Sequence, residues 1–211
     1  MAACIHHTML CVMSIYAAFL IRTGSCSTPK DVFVEASAVE TSAETIDLAT
    51  VVCLQPDLGY FCTLITVAKS DPVVASLFDP NTVATVFAPT TRGINNTRYI
   101  TLRLLGTTLT GLAQDPVKAA MFVRANIISE KVLFSNLRNG QVYYNYLSPQ
   151  QSLTVLEGTG RQVPPGTVRS FFLKTSTTTV RIGFQDRYNL IGGAGFVTVS
   201  EDPIIPPTSS S

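Results

Sequence analysis

Glu157, Asp186, Glu201 and Asp202 fall near the ends of short β-type runs. Carboxylates are the one catalytic device such a chain offers, because a pair flanking a glycosidic bond can share general acid and base or nucleophile roles. Nothing in their spacing forces two of them together, and Glu201-Asp202 ahead of Pro203 reads as a solvated turn. A nucleophile–histidine site needs a base that titrates near neutrality. Both histidines, His6 and His7, precede the apolar run Met9–Ile21. No G-x-S-x-G elbow and no P-loop is present, and "GGAG" at 192–195 leads into "FVTVSE", a strand pattern, where a dinucleotide loop must open a helix. Tyr143, Tyr144 and Tyr146 in "VYYNY" could stack on sugar rings; alternation puts Tyr144 and Tyr146 on one strand face and Tyr143 on the other. The competing reading is a half-buried sheet with tyrosines at its rim.

The run Met9–Ile21 is followed by Arg22 and the small residues of 23–27. It is too short for the roughly 20 residues of a membrane-spanning helix. Its length and flank predict a secretory signal peptide over 1–26, with cleavage within 25–28; an uncleaved anchor and a lipid on Cys26 are the alternatives. Cleavage removes both histidines and Arg22, leaving 14 basic residues of the 15 against 14 acidic ones. Near-zero net charge without a Lys/Arg cluster argues against nucleic acid or an anionic membrane as the main partner. Roughly 185 residues then remain, enough for one domain with a real core. Cys53 and Cys62 are the cysteines left, to be read either as a disulfide of a secreted protein or as small core residues. Two cysteines without histidine make a poor zinc set, so neither a metal nor a cofactor is expected. Asn95-Asn96-Thr97 satisfies the N-glycosylation triplet, placing a candidate glycan on Asn95 in a predicted loop.

These residues hang on elements of two kinds. Residues 27–45 are polar and weakly periodic, and read as a linker or arm. From Ile46 the pattern is helical: Leu58, Phe61, Leu64, Ile65 and Ala68 share one face. Pro56, Asp71-Pro72 and Asp115-Pro116 are helix-start signals, and Gly106 closes "RYITLRLLG". In 116–126, Val117, Ala120, Met121 and Arg124 stand one turn apart. The second half carries short β-branched or aromatic runs: "KVLF", "QVYYNYL", "SLTVLEG", "TVRSFFLK", "TTVRIGF" and "GFVTVS", with a turn at Asn139-Gly140. One strand, 82–88, is embedded in the helical half. The order predicts an α+β fold. The end of the chain, "IIPPTSSS", carries no apolar tail, so a GPI signal or C-terminal span is not expected, and 208–211 form a polar tail.

Within 82–91, "TVATVFAPTT", alternation stops at Pro89. "TVFAPT" (Thr85, Val86, Phe87, Ala88, Pro89, Thr90) resembles the first signature box of the fasciclin-type domain, an extracellular adhesion module. "ISEKVLFSNLRNGQ" (128–141) resembles the segment after the family's central helix, including its Leu-x-Asn-Gly turn at Asn139-Gly140. "AGFVTVSEDPIIP" (194–206) resembles the closing box with its final Pro206. The similarity spans about residues 46–207. It implies a single fasciclin-like domain, a wedge with a β-sandwich-like core and helices along one side. It further implies a secreted, non-enzymatic adhesion or matrix module whose partners are cell-surface or matrix proteins, itself or polysaccharide. The family's Tyr-His pair, linked to integrin binding, stands here as Ala125-Asn126, and the closing-box Asn and His positions are Ala194 and Thr198. A carbohydrate- or small-ligand-binding module using Tyr144 and Tyr146, and a carboxylate hydrolase, are the other two classes.

Pro89 has no N–H for a ladder and holds Ala88 extended, so Thr90 is expected to cap a helix starting at Thr91, one weakened by Gly93. Thr90→Val is expected to lower stability by about 1 kcal/mol, as lost caps do, read as a fall in Tm.

Overall fold

The computed structural model describes residues 46–158, 170–183 and 190–207. They belong to one compact unit, Ala43–Ser211. The expected signal peptide and the arm at 27–45, the tail at 208–211 and Asp186 lie outside the described residues.

Helices come first, each with a readable start. Helix α1 (Leu48–Cys53) is capped by Asp47, which accepts from the Thr50 N–H at 2.7 Å. A 3-10 turn at Pro56–Leu58 leads into α2 (Gly59–Val67), and the Cys53–Cys62 disulfide joins α1 to α2. Asp71 caps α3 (Pro72–Ser76) through the Val73 and Val74 N–H groups, and Asp115 caps α7 (Pro116–Ala125) in the same way. Proline at N1 costs nothing there, because that N–H has no helical partner. Between them lie α4 (Thr91–Asn96), α5 (Arg98–Leu105) and α6 (Leu109–Leu112), with Gly106 closing α5 in the left-handed region. Leu58, Phe61, Leu64, Ile65 and Ala68 are all fully buried, as their spacing predicts. In α7 the buried face is Ala119, Ala120, Phe122 and Val123 rather than the row through Val117, which is 69% exposed. Phe122 packs from this face against α2, its ring 6.5 Å from that of Phe61.

The strands form one eight-stranded sheet among the described residues: β1 (Thr85–Pro89), β2 (Ile127–Ile128), β3 (Val142–Tyr144), β4 (Ser152–Glu157), β5 (Phe171–Lys174), β6 (Thr179–Ile182), β7 (Leu190–Gly192) and β8 (Gly195–Ser200). Their order is β2-β1-β8-β6-β5-β4-β3, with β7 beside β8. An Ile128–Asn145 bridge connects the two ends, so the sheet nearly closes on itself. The β-core is therefore built by one curled sheet. "KVLF" is not a strand: Val132 spends its N–H on the Thr85 hydroxyl, and Phe134 opens a 3-10 turn whose ring packs edge-on against Phe171 at 5.2 Å. Strands β2 and β7, two and three residues long, are shorter than periodicity in the sequence can resolve.

Strand β1 divides the interior. Val86 and Ala88 face the helices with Phe61, Leu64 and Val123. Phe87 faces the inside of the sheet with Tyr143, Leu153, Phe171 and Ile182. Both faces are buried, which explains an apolar alternation with no polar side.

The turn after β1 comes as expected, with the Thr90 hydroxyl accepting from Gly93 N–H at 3.0 Å. Gly93 is no weakness, however. A Cβ there would sit 1.8 Å from the Glu201 carbonyl oxygen, so glycine lets α4 lie against the chain leaving β8. Gly93→Ala is expected to cost about 3 kcal/mol by overpacking. Gly59→Ala, at a helical position with nothing within 4 Å, is expected to be neutral or to stabilise by up to about 1 kcal/mol. Paired denaturation midpoints check both.

Candidate functional site

The signature residues lie along β1 and its cap, at the turn before β3 and at the end of the described chain, and those whose side chains or backbone groups pair with other segments have a mechanical task. Thr85 is buried, donates to the Glu130 carbonyl at 2.7 Å and accepts from Val132 N–H at 2.9 Å. Pro89 pairs with Ser200 in register. The Thr90 hydroxyl caps α4 and donates to the Glu201 carbonyl at 2.9 Å, bridging 111 residues of chain. That second bond raises the expected cost of Thr90→Val to about 2 kcal/mol. Gly140 has φ +82°, and Asn139 Oδ1 accepts from Glu157 N–H at 3.1 Å, so this pair fixes the β3–β4 register. Pro206 is buried at the end of the described chain.

Asn126, absent from the predicted sites, is central here. It is fully buried; its Nδ2 donates to the Phe122 and Ile204 carbonyls, and its Oδ1 accepts from Ile204 N–H at 2.9 Å. It pins the C-terminal segment to the end of α7. Nothing in its neighbourhood in sequence announces this, since the partner is 78 residues away. A second buried amide, Asn145, donates to Ala125 O and Gln151 Oε1 and accepts from Gln151 N–H.

The chemistry-bearing candidates are dispersed. The register runs Glu157–Phe171–Ile182–Ser200 across β4, β5, β6 and β8. Glu157 thus lies three strands from the chain at Ser200, not beside it on the sheet. Glu201 and Asp202 form the turn after β8. Burial, and secondarily the Glu201 charge, push the Asp202 carboxyl above its ordinary range. Burial alone lifts the Tyr60 hydroxyl to about 12, where it donates to the Leu109 carbonyl and ties α2 to α6.

Tyr143 is buried inside the sheet, and Tyr144, 55% exposed, points outward beside Val142. Tyr146 lies beyond β3, half-buried and packed against the helical core, its N–H donating to Arg124 O. Tyr143 and Tyr144 take opposite faces as alternation expects, but the expected pairing of Tyr144 with Tyr146 on one face fails, because the strand ends at Tyr144 and Tyr146 turns into the helical core. Asn95 is exposed, in the last turn of α4 rather than in a loop. The turn-like polarity of "NNT" is that of a short helix end: the Thr97 hydroxyl donates to Gly93 O at 3.0 Å. "GGAG" is the β7–β8 hairpin turn, with Gly193 at φ +53° where a Cβ would meet Pro80 O at 1.9 Å.

Against solved structures, the described architecture matches a FAS1 domain pair from the insect cell adhesion molecule fasciclin I, with a TM-score of 0.55 at 10% identity over 76% of this chain. The fold is the FAS1 fold. The chain spans about half the length of that double-domain chain, 51%. No family model matches the sequence, and no curated protein matches it. Within the FAS1 fold, the box from Thr85 to Thr90 is strand β1 and the cap of α4, and the closing box is β8 with the segment through Pro206.

The raised Asp202 carboxyl has a pH consequence. Its folded form holds a proton more tightly than the unfolded chain, so stability falls as pH rises from the ordinary carboxylate range, near 4, to the raised value. Asp202→Asn is expected to flatten the Tm profile over that window. An unchanged slope would show that Asp202 is not the group responsible.

Proposed function

We propose that this chain is a secreted, non-enzymatic interaction domain of fasciclin type, working in cell adhesion or in the extracellular matrix. The likeness of its fold to a domain pair of an insect cell adhesion molecule carries the reading. The residue-level picture supports it. The side chains of Thr85 and Thr90 are committed to hydrogen bonds that hold strand β1 to the chain beyond α7 and beyond β8, and among the described residues Glu157 lies three strands from the end of β8, where Glu201 and Asp202 follow. In this reading, residues 1–26 are a signal peptide, 27–45 an arm and 46–207 the single domain. The Cys53–Cys62 bridge accords with an oxidising compartment. Asn95 is an exposed acceptor for a glycan there. Recognition does not run through positions 125 and 126, since both Ala125 and Asn126 are buried. The partners are matrix or cell-surface proteins, a second copy, or polysaccharide.

A carbohydrate-binding reading draws on one observation, the outward Tyr144 ring beside Val142, with Ser152 opposite the tyrosine and Thr154 opposite the valine on β4. The two readings separate on one preparation. Beads coated with the protein are expected to aggregate or to hold a matrix surface, with no saturable signal on a glycan array. Saturable glycan binding lost in Tyr144→Ala, without bead adhesion, would transfer the function to the sheet face.

A further inference from the structure

Between Asp79 and Asp115 the chain carries no acidic residue, but it carries Arg92, Arg98 and Arg103. All three are exposed on α4 and α5, and none takes part in an ion pair among the described residues. Scattered in the sequence, they form no run that a search for basic clusters would find. The fold gathers two of them on α5.

At 100° per residue, Arg98, Leu102, Tyr99 and Arg103 fall in that order around an arc of about 140°. Thr101 lies outside that arc, about 130° from its middle; it is the one buried residue of the helix, with its hydroxyl turned to the Thr97 carbonyl. Leu104 and Leu105 are half-buried on the inward side. The outward face thus holds Tyr99, 70% exposed, and Leu102, 44% exposed, in its middle, with an arginine on each flank. Ile100, 41% exposed, stands at its border. The Arg98 guanidinium lies 4.9 Å from the Tyr99 ring centre and donates to its hydroxyl at 3.3 Å.

We propose that this face of α5 docks on an anionic lipid surface, Tyr99 and Leu102 entering the headgroup layer and Arg98 and Arg103 bonding its phosphate and carboxylate oxygens. An apolar centre with cationic flanks is the arrangement interfacial helices use, and the arginine stems reach along the apolar groups to the charged layer. The arginine forks suit phosphate and carboxylate oxygens, and the exposed Tyr99, Leu102 and Ile100 between and beside them suit an interface that is apolar just beneath its charged layer. A two-fold pairing with a second copy would set arginine against arginine. A polyanionic sugar would answer the charges and leave Leu102 and Ile100 wet. The proposal stands apart from the adhesion reading, which concerns protein and matrix partners.

The chain contains no tryptophan, so Tyr99→Trp in the full chain gives a reporter at the docking face alone, blind to any binding by the apolar N-terminal run. Vesicles of phosphatidylcholine with about 30% phosphatidylserine are expected to shift its emission to the blue, with quenching by brominated lipid, and pure phosphatidylcholine to leave it unchanged. Adding Arg98→Glu and Arg103→Glu should weaken partitioning roughly tenfold or more. Leu102→Ala should reduce the quenching, and Lys174→Glu, on the sheet, should leave both intact. Three outcomes overturn the proposal: no shift on anionic vesicles, an equal shift on neutral ones, or a shift with heparin and none with lipid. Binding of an acidic protein at this face without a lipid response overturns it too.

Discussion

Strand β1 runs parallel to β8, paired from Thr85–Phe196 to Pro89–Ser200. Parallel neighbours cannot be joined by a tight turn, so the chain between them must leave and return. In this protein the excursion contains α4 to α7 and β2 to β7. Every other feature is arranged around closing it. The helices cover one face of β1, and the curled sheet, held by the Ile128–Asn145 bridge, encloses the other. Contacts of this sequence separation are costly in loop entropy before they are formed, so they are reinforced where they end.

The reinforcement is polar and close-packed. Thr90 bonds the Glu201 carbonyl, and Gly93 allows α4 to touch that same carbonyl. Asn126 holds both backbone groups of Ile204. Thr85 takes the next segment, at Glu130 and Val132. Each is a buried polar group fully employed, the condition under which such groups specify one arrangement instead of weakening the core. The same economy leaves helix α5 outward, with Thr101 its only buried residue.

Much of the frame was legible in the residues. Asp71-Pro72 and Asp115-Pro116 began helices, because an aspartate cap and a proline at N1 act within three residues of one another. The β-branched run "SLTVLEG" is a strand, Ser152–Glu157, and the structure buries Leu153 and Val155 in it. Where reading failed, a distant partner had intervened. "KVLF" has strand composition, yet Thr85 takes the Val132 N–H and Phe171 takes the Phe134 ring. The helical spacing through Val117 in α7 was right, but which face is buried was set by packing against α2, where Phe122 meets Phe61. Gly93 looked like a helix fault because the carbonyl it makes room for is more than 100 residues on.

The sequence by itself determined the α+β class, the caps, the strand ending at Pro89 and the cap at Thr90, since these depend on local sterics and on hydrogen bonds a few residues long. Tertiary structure alone decided that Tyr146 packs inward while Tyr144 stays open, that Asn126 anchors the C-terminal segment, and that Arg98 and Arg103 flank one exposed stripe. The physical reason is the same in each case. A side chain's burial and partners depend on which surfaces the β1–β8 pairing brings together, and that pairing joins residues 111 positions apart.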